Sequence, residues 1–399
     1  MNTTELPVET WFSYPRTANH PDPVDSRALL SDLIDRHHTV YHIEHRDRPN
    51  VLARVLWSLH KFGANESQLT QAYQNIYPDL EPLQRSNHII HQNNWQEYLG
   101  NHSMYGDYLA FFDHEVERHG IQKTVERYFY QAQLYTSIGS QLQPFVHLAF
   151  GLEQELPRIV AQALAFLACS YLDVSELLLA PPEEGHSSTQ STSQILFDMI
   201  HADPRFDGKM DGSNTFCSAV KVLLKSRPDL LRTYLAEWVP PEEDDQHQAL
   251  DDLIETARQL IHASARQTKD GQIHLDWFLG GGQLLASALA MRTLTTPETK
   301  DSLLRLQYLA TLCTYVIQGR PGPVTTTTTT STVANSGTLN LAACIQVIVA
   351  SGDPKAILIL HSLVKLPWSP QLLNTAQLIV AFLEKGGIWV KPGTGWASL

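Results

Sequence analysis

Histidine is the residue type whose number and spacing most strongly suggest chemistry in this sequence. The 399-residue chain contains 18 histidines, and His37, His38, His42 and His45 fall within one short segment. On a continuous helix, His38 and His42 share a face at positions i and i+4, where two imidazoles can hold one metal ion. The same residues can also be exposed histidines near a helix C-terminus, where the helix dipole favours them. Because the HExxH form is absent, the pattern leaves both interpretations open.

A second group of candidate residues surrounds His147, which stands in an apolar stretch six residues before Glu153. An imidazole and a carboxylate can move a proton, but a turn at Gly151 has to bring these two together. A lone histidine on an apolar face is also commonly a core residue. Two arginines can stabilise negative charge on oxygen, although one of them, at a predicted helix end, can equally act as a cap. The candidate catalytic residues are His147, Glu153, His42, Arg54 and Arg320.

Other motifs narrow the choice of chemistry. The sequence contains no Walker A loop, no GxGxxG motif after a strand and no GxSxG motif. The triplet Gly280–Gly282 can leave space beside a cavity or let two helices approach closely. The four cysteines lack CxxC spacing and are expected to be reduced core thiols.

Composition and charge bear on partners and location. The formal net charge is −13, which disfavours binding to nucleic acid or to an anionic membrane surface. Residues 1–24 lack the basic and apolar regions of a signal peptide. The most apolar segments, 159–172 and 372–383, are shorter than the roughly 20 residues that a bilayer requires. We therefore expect a cytoplasmic protein without a membrane partner, and a homodimer remains open.

The elements that must position these residues are predicted to be helices. Helical periodicity or cap residues mark the segments 25–38, 49–63, 66–77, 105–119, 121–135, 157–172, 193–201, 215–225, 228–238, 249–265, 275–292, 298–317, 340–350, 354–364 and 371–384. Useful alternating β patterns are absent. The expected fold is all-α, a compact multi-helix bundle enclosing an apolar cavity, with the segment 157–172 central to its core.

Two polar segments suggest how the chain is organised. The stretch 181–192 is predicted to be a surface loop, and the threonine run 325–330 is predicted to be another loop. We divide the chain into an N-terminal extension (1–24), an N-terminal helical half (25–180), the loop (181–192) and a C-terminal helical half (193–399). The two halves are expected to share one core.

Several short segments, taken together, resemble the questin oxidase-like family of fungal and bacterial natural-product enzymes. The matching pieces are HTVYH (38–42), LHKFGA (59–64), NWQEYLG (94–100), YLAFF (108–112), VHLAFGLE (146–153), DWFL (276–279) and GRP (319–321). The resemblance implies an all-helical fold and oxidative tailoring of aromatic polyketides, including oxygen insertion into anthraquinones and cleavage of their rings. Candidate substrate-binding residues are His38, Tyr41, Trp95, Tyr108, Gln143, Trp277 and Gly281.

The resemblance also implies a metal site in some relatives, with a non-haem iron held by several histidines and a modified lysine. The family's FHNHxxHH stretch aligns with RPNVLARV (48–55), in which only Asn50 is retained. Gln143 and Gly281 stand at two further histidine positions, and Leu358 stands near the expected lysine. Of the implied ligands, only His147 clearly remains. Proline, valine, leucine and glycine side chains offer no donor atoms to iron, so no metal site is expected.

These observations lead to three hypotheses for function. The first is a metal-independent tailoring enzyme that catalyses cyclisation, rearrangement, dehydration or a pericyclic step on a polyketide-derived aromatic or polycyclic substrate. The second is an oxidoreductase that performs Baeyer–Villiger or ring-cleaving oxidation, and the third is a non-catalytic ligand-binding relative. No cofactor is expected under the first hypothesis; the alternatives are non-haem iron or NADPH. The expected partner is a small apolar or aromatic molecule.

Overall fold

The computed structural model describes residues 23–45, 48–86, 88–178, 190–206, 215–238, 246–323 and 339–390. Residues 1–22 of the predicted N-terminal extension, most of the loop 181–192 and the threonine run 325–330 lie outside these residues.

Helices account for most of the described chain. The α-helices are α1 (Pro23–Val40), α2 (Leu52–Lys61), α3 (Glu66–Ile76), α4 (Tyr105–His119), α5 (Ile121–Val125), α6 (Gln143–Glu153), α7 (Pro157–Cys169), α8 (Ser175–Leu178), α9 (Thr192–Gln194), α10 (Phe216–Ser226), α11 (Pro228–Glu237), α12 (Gln246–Ala263), α13 (Gln283–Leu294), α14 (Lys300–Ile317), α15 (Leu341–Ser351), α16 (Pro354–Leu363) and α17 (Pro370–Glu384). Two π-helical segments, Glu126–Gln131 and Ile195–Ile200, continue α5 and α9. The all-α prediction is confirmed, whereas the predicted apolar cavity stays a prediction.

Two small sheets accompany the helices. Strand β1 (Glu44–His45) pairs antiparallel with β2 (Arg48–Pro49). Strand β4 (Ile273–Asp276) lies between β3 (Arg266–Gln267), which is antiparallel to it, and β5 (Ile388–Val390), which is parallel to it.

The predicted helix 275–292 is wrong at its start, because its first residues belong to β4. The carboxylate of Asp276 accepts hydrogen bonds from the backbone N–H groups of Phe278 and Leu279, at 2.8 and 2.9 Å. These bonds hold a turn after the strand, and α13 begins only at Gln283.

Helix α7 occupies the centre of the core, as its apolar sequence predicts. Every residue from Ile159 to Cys169 is at most 2% exposed, and α7 packs against both α4 and α6. A helix that is apolar on nearly all sides has no face suited to water, so it is surrounded by other helices.

Helix α6 was not predicted from the sequence, and the turn expected at Gly151 is wrong. Three consecutive residues with positive φ, Ser140 to Leu142, reverse the chain immediately before the helix. Proline in the first turn then favours helix formation. Gly151 lies inside α6, where an added Cβ would come within 3.0 Å of Val160 on α7. The glycine therefore serves close helix packing rather than a turn.

Helices from both predicted halves pack against each other. α6 packs against α13, and α2 packs against α16. The buried apolar residues of both segments belong to one hydrophobic cluster. The boundaries assigned to the halves stay a prediction. No helix in the described part of the chain combines the length and apolar character needed to cross a membrane.

Candidate functional site

A row of polar side chains crosses the apolar core where four helices meet. Gln143 and His147 lie one turn apart on α6 and are 3% and 2% exposed. Arg54 on α2 lies on one side of them, and Gln162 on α7 lies on the other. His37 on α1 is fully buried at the far end of the row. Buried polar groups of this kind are costly unless they bind one another, and these do except at Nε of Arg54 and Nε2 of His37, which have no hydrogen-bond partner among the described residues.

The hydrogen bonds of the row indicate which nitrogen of each imidazole carries the proton. Arg54 Nη2 donates to Gln143 Oε1 at 2.7 Å, and His147 Nε2 donates to Gln162 Oε1 at 3.0 Å. The amide nitrogen of Gln162 lies 3.4 Å from Nδ1 of His37, which accepts. Because the amide accepts from one ring and donates to the other, this arrangement places the proton of each neutral imidazole on Nε2.

Burial keeps the two imidazoles neutral beside a positive charge. It lowers the pKa of His37 to about 4 and that of His147 to about 3, and the charge of Arg54 contributes to the second shift. Burial also lowers the pKa of Arg54 to about 10, so its guanidinium is still charged at neutral pH. The site can therefore bind an oxygen that carries negative charge. Neither ring is an imidazolium acid at neutral pH.

A narrow pocket of about 30 Å³ begins at Arg54 and is lined by α2, α6, α13 and α16. Its outer end is formed by Glu153 and Lys365, whose carboxylate and ammonium groups are 2.6 Å apart. Glu153 also accepts a hydrogen bond from Thr293 at 2.8 Å. The structure therefore does not bring Glu153 to His147, because α6 continues through Gly151 and carries the carboxylate to the surface.

The helical pairing of His38 and His42, one of the two interpretations left open, does not form, because α1 ends at Val40. His38 Nε2 lies 2.9 Å from a carboxylate oxygen of Asp113, on the wall of an open cleft of about 940 Å³. The ring of His42 packs 4.5 Å from that of Tyr105, and its Nδ1 accepts from the backbone N–H of Glu44. Among the described residues, no three His, Cys, Asp or Glu side chains are arranged to hold a metal ion.

Arg320 binds main-chain carbonyls rather than the row around His147. Its Nη1 donates to the carbonyl oxygens of Ile200 and Asp203, at 3.1 and 2.7 Å. Its own carbonyl lies 2.8 Å from Nδ1 of His201. This is the capping role that the sequence left open, although the helix end that it caps belongs to another segment.

The aromatic candidates for substrate binding are dispersed through the molecule. Trp95 and Tyr108 are buried, and the Tyr108 hydroxyl donates to the Trp95 carbonyl. Tyr41 is half-buried, with its ring 6.1 Å from that of His37. Trp277 packs against Trp389 of β5. None of these four candidates lines the pocket beside Arg54.

The residues at the implied iron positions do not fit that metal. The guanidinium of Arg54 and the amide of Gln143, two of those positions, are bonded to each other. A Cβ at Gly281 would lie 2.1 Å from the Trp277 carbonyl oxygen, so no donor side chain can be placed there. Leu358, near the position of the implied lysine, lines the Arg54 pocket with an apolar side chain. A cation so close to the guanidinium would also be repelled.

Sequence reasoning missed several residues of the site, chiefly His37, Gln162 and His361. Gln162 is the one strongly polar residue in the otherwise apolar segment 159–169, and this isolation was a usable signal. In the sequence, His37 stands out only as a neighbour of His38. His361 and Lys365 reach the pocket from α16 and the residues after it, and no local pattern links them to Arg54.

Curated proteins with similar sequences are named as oxidases. The Baeyer-Villiger oxidase notM of Aspergillus sp. (strain MF297-2) is 30% identical over 156 residues, which are 37% of this chain and 34% of that protein. The Baeyer-Villiger monooxygenase AacuH of Aspergillus aculeatus is 26% identical over 222 residues, 49% of this chain and 46% of that protein. Questin oxidase of Aspergillus terreus is 24% identical over 272 residues, 63% of this chain and 60% of that protein. The matched segments thus span less than two thirds of each relative.

These names correct the first functional hypothesis. Cyclisation, rearrangement, dehydration and pericyclic steps leave the oxidation level of the substrate unchanged, whereas the similar proteins are named for oxidation. The hypothesis of a cyclase-type enzyme is therefore wrong, and its oxidative alternative is the better supported one. The expectation about cofactors stays a prediction.

The family model for questin oxidase-like proteins matches residues 49–360. The matched part includes Arg54, Gln143, His147 and Gln162, and so most of the buried polar row. The chain belongs to the questin oxidase-like family.

Proposed function

We propose that this protein is an oxidoreductase that inserts an oxygen atom into a polyketide-derived aromatic ketone, a Baeyer–Villiger-type reaction. In the balanced reaction, a ketone, O2, two electrons and two protons give an ester and water. A reduced nicotinamide such as NADPH is the class of electron donor that we propose. The observation that supports this reaction best is the buried charge of Arg54 beside Gln143 and the neutral ring of His147.

The positive charge of Arg54 can stabilise the negative charge that develops during such a reaction. Attack on a ketone moves negative charge onto its oxygen, and a guanidinium held in a water-poor environment stabilises that charge strongly. The pocket beside Arg54 admits a group of about the size of a water molecule. The neutral His147 binds Gln162 and lies within the electrostatic influence of Arg54 without adding a second positive charge.

Deletion of the gene, followed by mass spectrometry of the metabolites, tests the reaction type whichever compound is the substrate. We expect loss of one product and accumulation of a precursor that is lighter by one oxygen atom. Growth under ¹⁸O2 should place the heavy isotope in the product of the wild-type strain. Complementation with Arg54→Met should leave the precursor in place.

Two other outcomes of the gene deletion would not support an oxidation. A precursor that is an isomer of the lost product would indicate a reaction without oxidation and would contradict the proposal. An unchanged metabolite profile after deletion would indicate a ligand-binding protein without turnover.

A further inference from the structure

Arg54 differs from the other buried arginines in having no carboxylate partner among the described residues. Arg54, Arg258 and Arg305 are each 8% exposed. Arg258 forms an ion pair with Glu255, and Arg305 is attracted by the charge of Asp301. Arg54 donates to the neutral amide of Gln143, and its Nε is buried without a hydrogen-bond partner. A buried charge normally has a counter-charge, so its absence here is informative.

The other residues that line the pocket do not neutralise the charge of Arg54. His361 lines the same pocket, and its pKa is lowered to about 3 by burial and by the charges of Lys365, Arg54 and Lys61. Glu153 is the one carboxylate among the lining residues, and Lys365 holds it at the outer end. The inner end of the pocket therefore carries one positive charge that no described side chain neutralises.

The shape of the pocket limits what can neutralise that charge. Its volume of about 30 Å³ exceeds the roughly 10–15 Å³ that one water needs, but it cannot contain an aromatic ring system. One oxygen of a carboxylate or phenolate fits these dimensions, and an aromatic ring attached to it would need the outer end formed by Glu153 and Lys365 to open. Arginine binds such oxygens through short, charge-assisted hydrogen bonds.

We propose that the pocket formed by Arg54, Ser58 and His361 is a subsite for the ionised oxygen of an organic acid. This inference deepens the proposed function, on which it rests for identifying that acid as the substrate. It narrows the substrate class to aromatic ketones that also carry a carboxylate or an acidic phenol.

Equilibrium binding of benzoate and formate to the purified full-length protein tests the subsite. Benzamide is the neutral control, since it has nearly the shape of benzoate but carries no charge. We expect calorimetry at constant ionic strength to detect benzoate or formate binding and no benzamide binding. Arg54→Met should weaken anion binding at least about tenfold, because one hydrogen bond to a charged group is lost. Tighter binding of benzoate than of formate would identify an aromatic acid as the ligand.

Three further variants separate loss of the subsite from loss of the fold. Arg305→Met removes a buried arginine outside the pocket and should bind benzoate as the wild type does. Arg54→Gln keeps a polar side chain without charge and should lose anion binding to the same extent as Arg54→Met. If Arg54→Met is unfolded, Arg54→Gln alone tests whether the charge of Arg54 is needed for binding. Arg54→Lys should restore part of the binding.

Anion binding that is equal in the wild type and in Arg54→Gln would overturn the proposal. So would failure of both formate and benzoate to bind the wild type. Anion binding is measured without turnover. It can therefore be detected even if the gene-deletion experiment contradicts the proposed reaction.

Discussion

At the scale of single residues, the site combines one buried positive charge with two imidazoles that burial keeps neutral. His147 is bonded to Gln162, and Arg54 is bonded to Gln143 on the same face of α6. Burial is the main reason why both pKa values are lowered, and the charge of Arg54 adds to the shift of His147. The same shifts make the stability of the protein depend on pH.

Acid should destabilise the protein through His37 and His147. Their folded-state pKa values, about 4 and about 3, lie below the usual 6.5, so between these limits the unfolded chain binds more protons than the folded one. Stability is then lost as pH falls below 6.5. Each histidine contributes a slope of about 1.4 kcal/mol per pH unit until its folded pKa is reached.

Urea unfolding of the wild type and of His147→Asn between pH 7 and pH 4 measures this slope. The variant should lose about 1.4 kcal/mol less per pH unit than the wild type. His114→Asn, at an exposed position of α4, controls for the loss of a surface imidazole. Equal slopes in the wild type and in His147→Asn would show that His147 is not buried as a neutral ring.

At the scale of elements, the turn between β4 and α13 depends on a glycine for space rather than for its φ angle. An added Cβ at Gly281 would meet the Trp277 carbonyl oxygen at 2.1 Å and the Trp277 ring at 2.1 Å. Trp277 is itself fixed by Trp389 of β5 and by the ammonium group of Lys355, 4.8 Å above its ring. The turn therefore cannot relax easily, and it sets where α13 begins beside the pocket.

Gly281→Ala should therefore be strongly destabilising, by about 2–3 kcal/mol, since overpacking forces the backbone to move. Gly352→Ala is the matched control. Gly352 has a left-handed helical conformation (φ +66°) and no atom within 4 Å of the added Cβ, so only conformational strain of about 1 kcal/mol is expected. Thermal or urea unfolding compares the two variants. An equal cost would mean that the turn accommodates a side chain.

At the scale of the whole molecule, the pocket exists only because distant segments meet. α2 and α6 come from the N-terminal part of the chain, and α13 and α16 come from the C-terminal part. Their apolar faces belong to one buried cluster. Separation of the two parts would expose these faces to water, at a cost that grows with the apolar area exposed.

Fragments 1–180 and 193–399, expressed separately, should each lack a cooperative unfolding transition. When co-expressed, they should associate and regain one, because the contacts of α6 with α13 and of α2 with α16 are restored. Circular dichroism during thermal unfolding measures both states. A cooperative transition in fragment 193–399 alone would show that this half has an independent core.

The sequence by itself determined the helical class, the central position of α7, most helix bounds and the family. Those features depend on local periodicity, capping and composition, which a single segment carries. It did not reveal α6, because a chain reversal at Ser140–Leu142 and a buried glycine have no periodic signature. It also could not distinguish Glu153 at the surface from Glu153 beside His147.

Which residues form the site could be seen only in the tertiary structure. Arg54, Gln143, Gln162 and His361 come from four different helices, and their meeting follows from how α2, α6, α7 and α16 pack. Burial then set their chemistry: the same arginine and histidines would be ordinary solvated groups on a surface. The pattern of residues along the chain cannot specify this, since the desolvation that shifts their charges is a property of the assembled core.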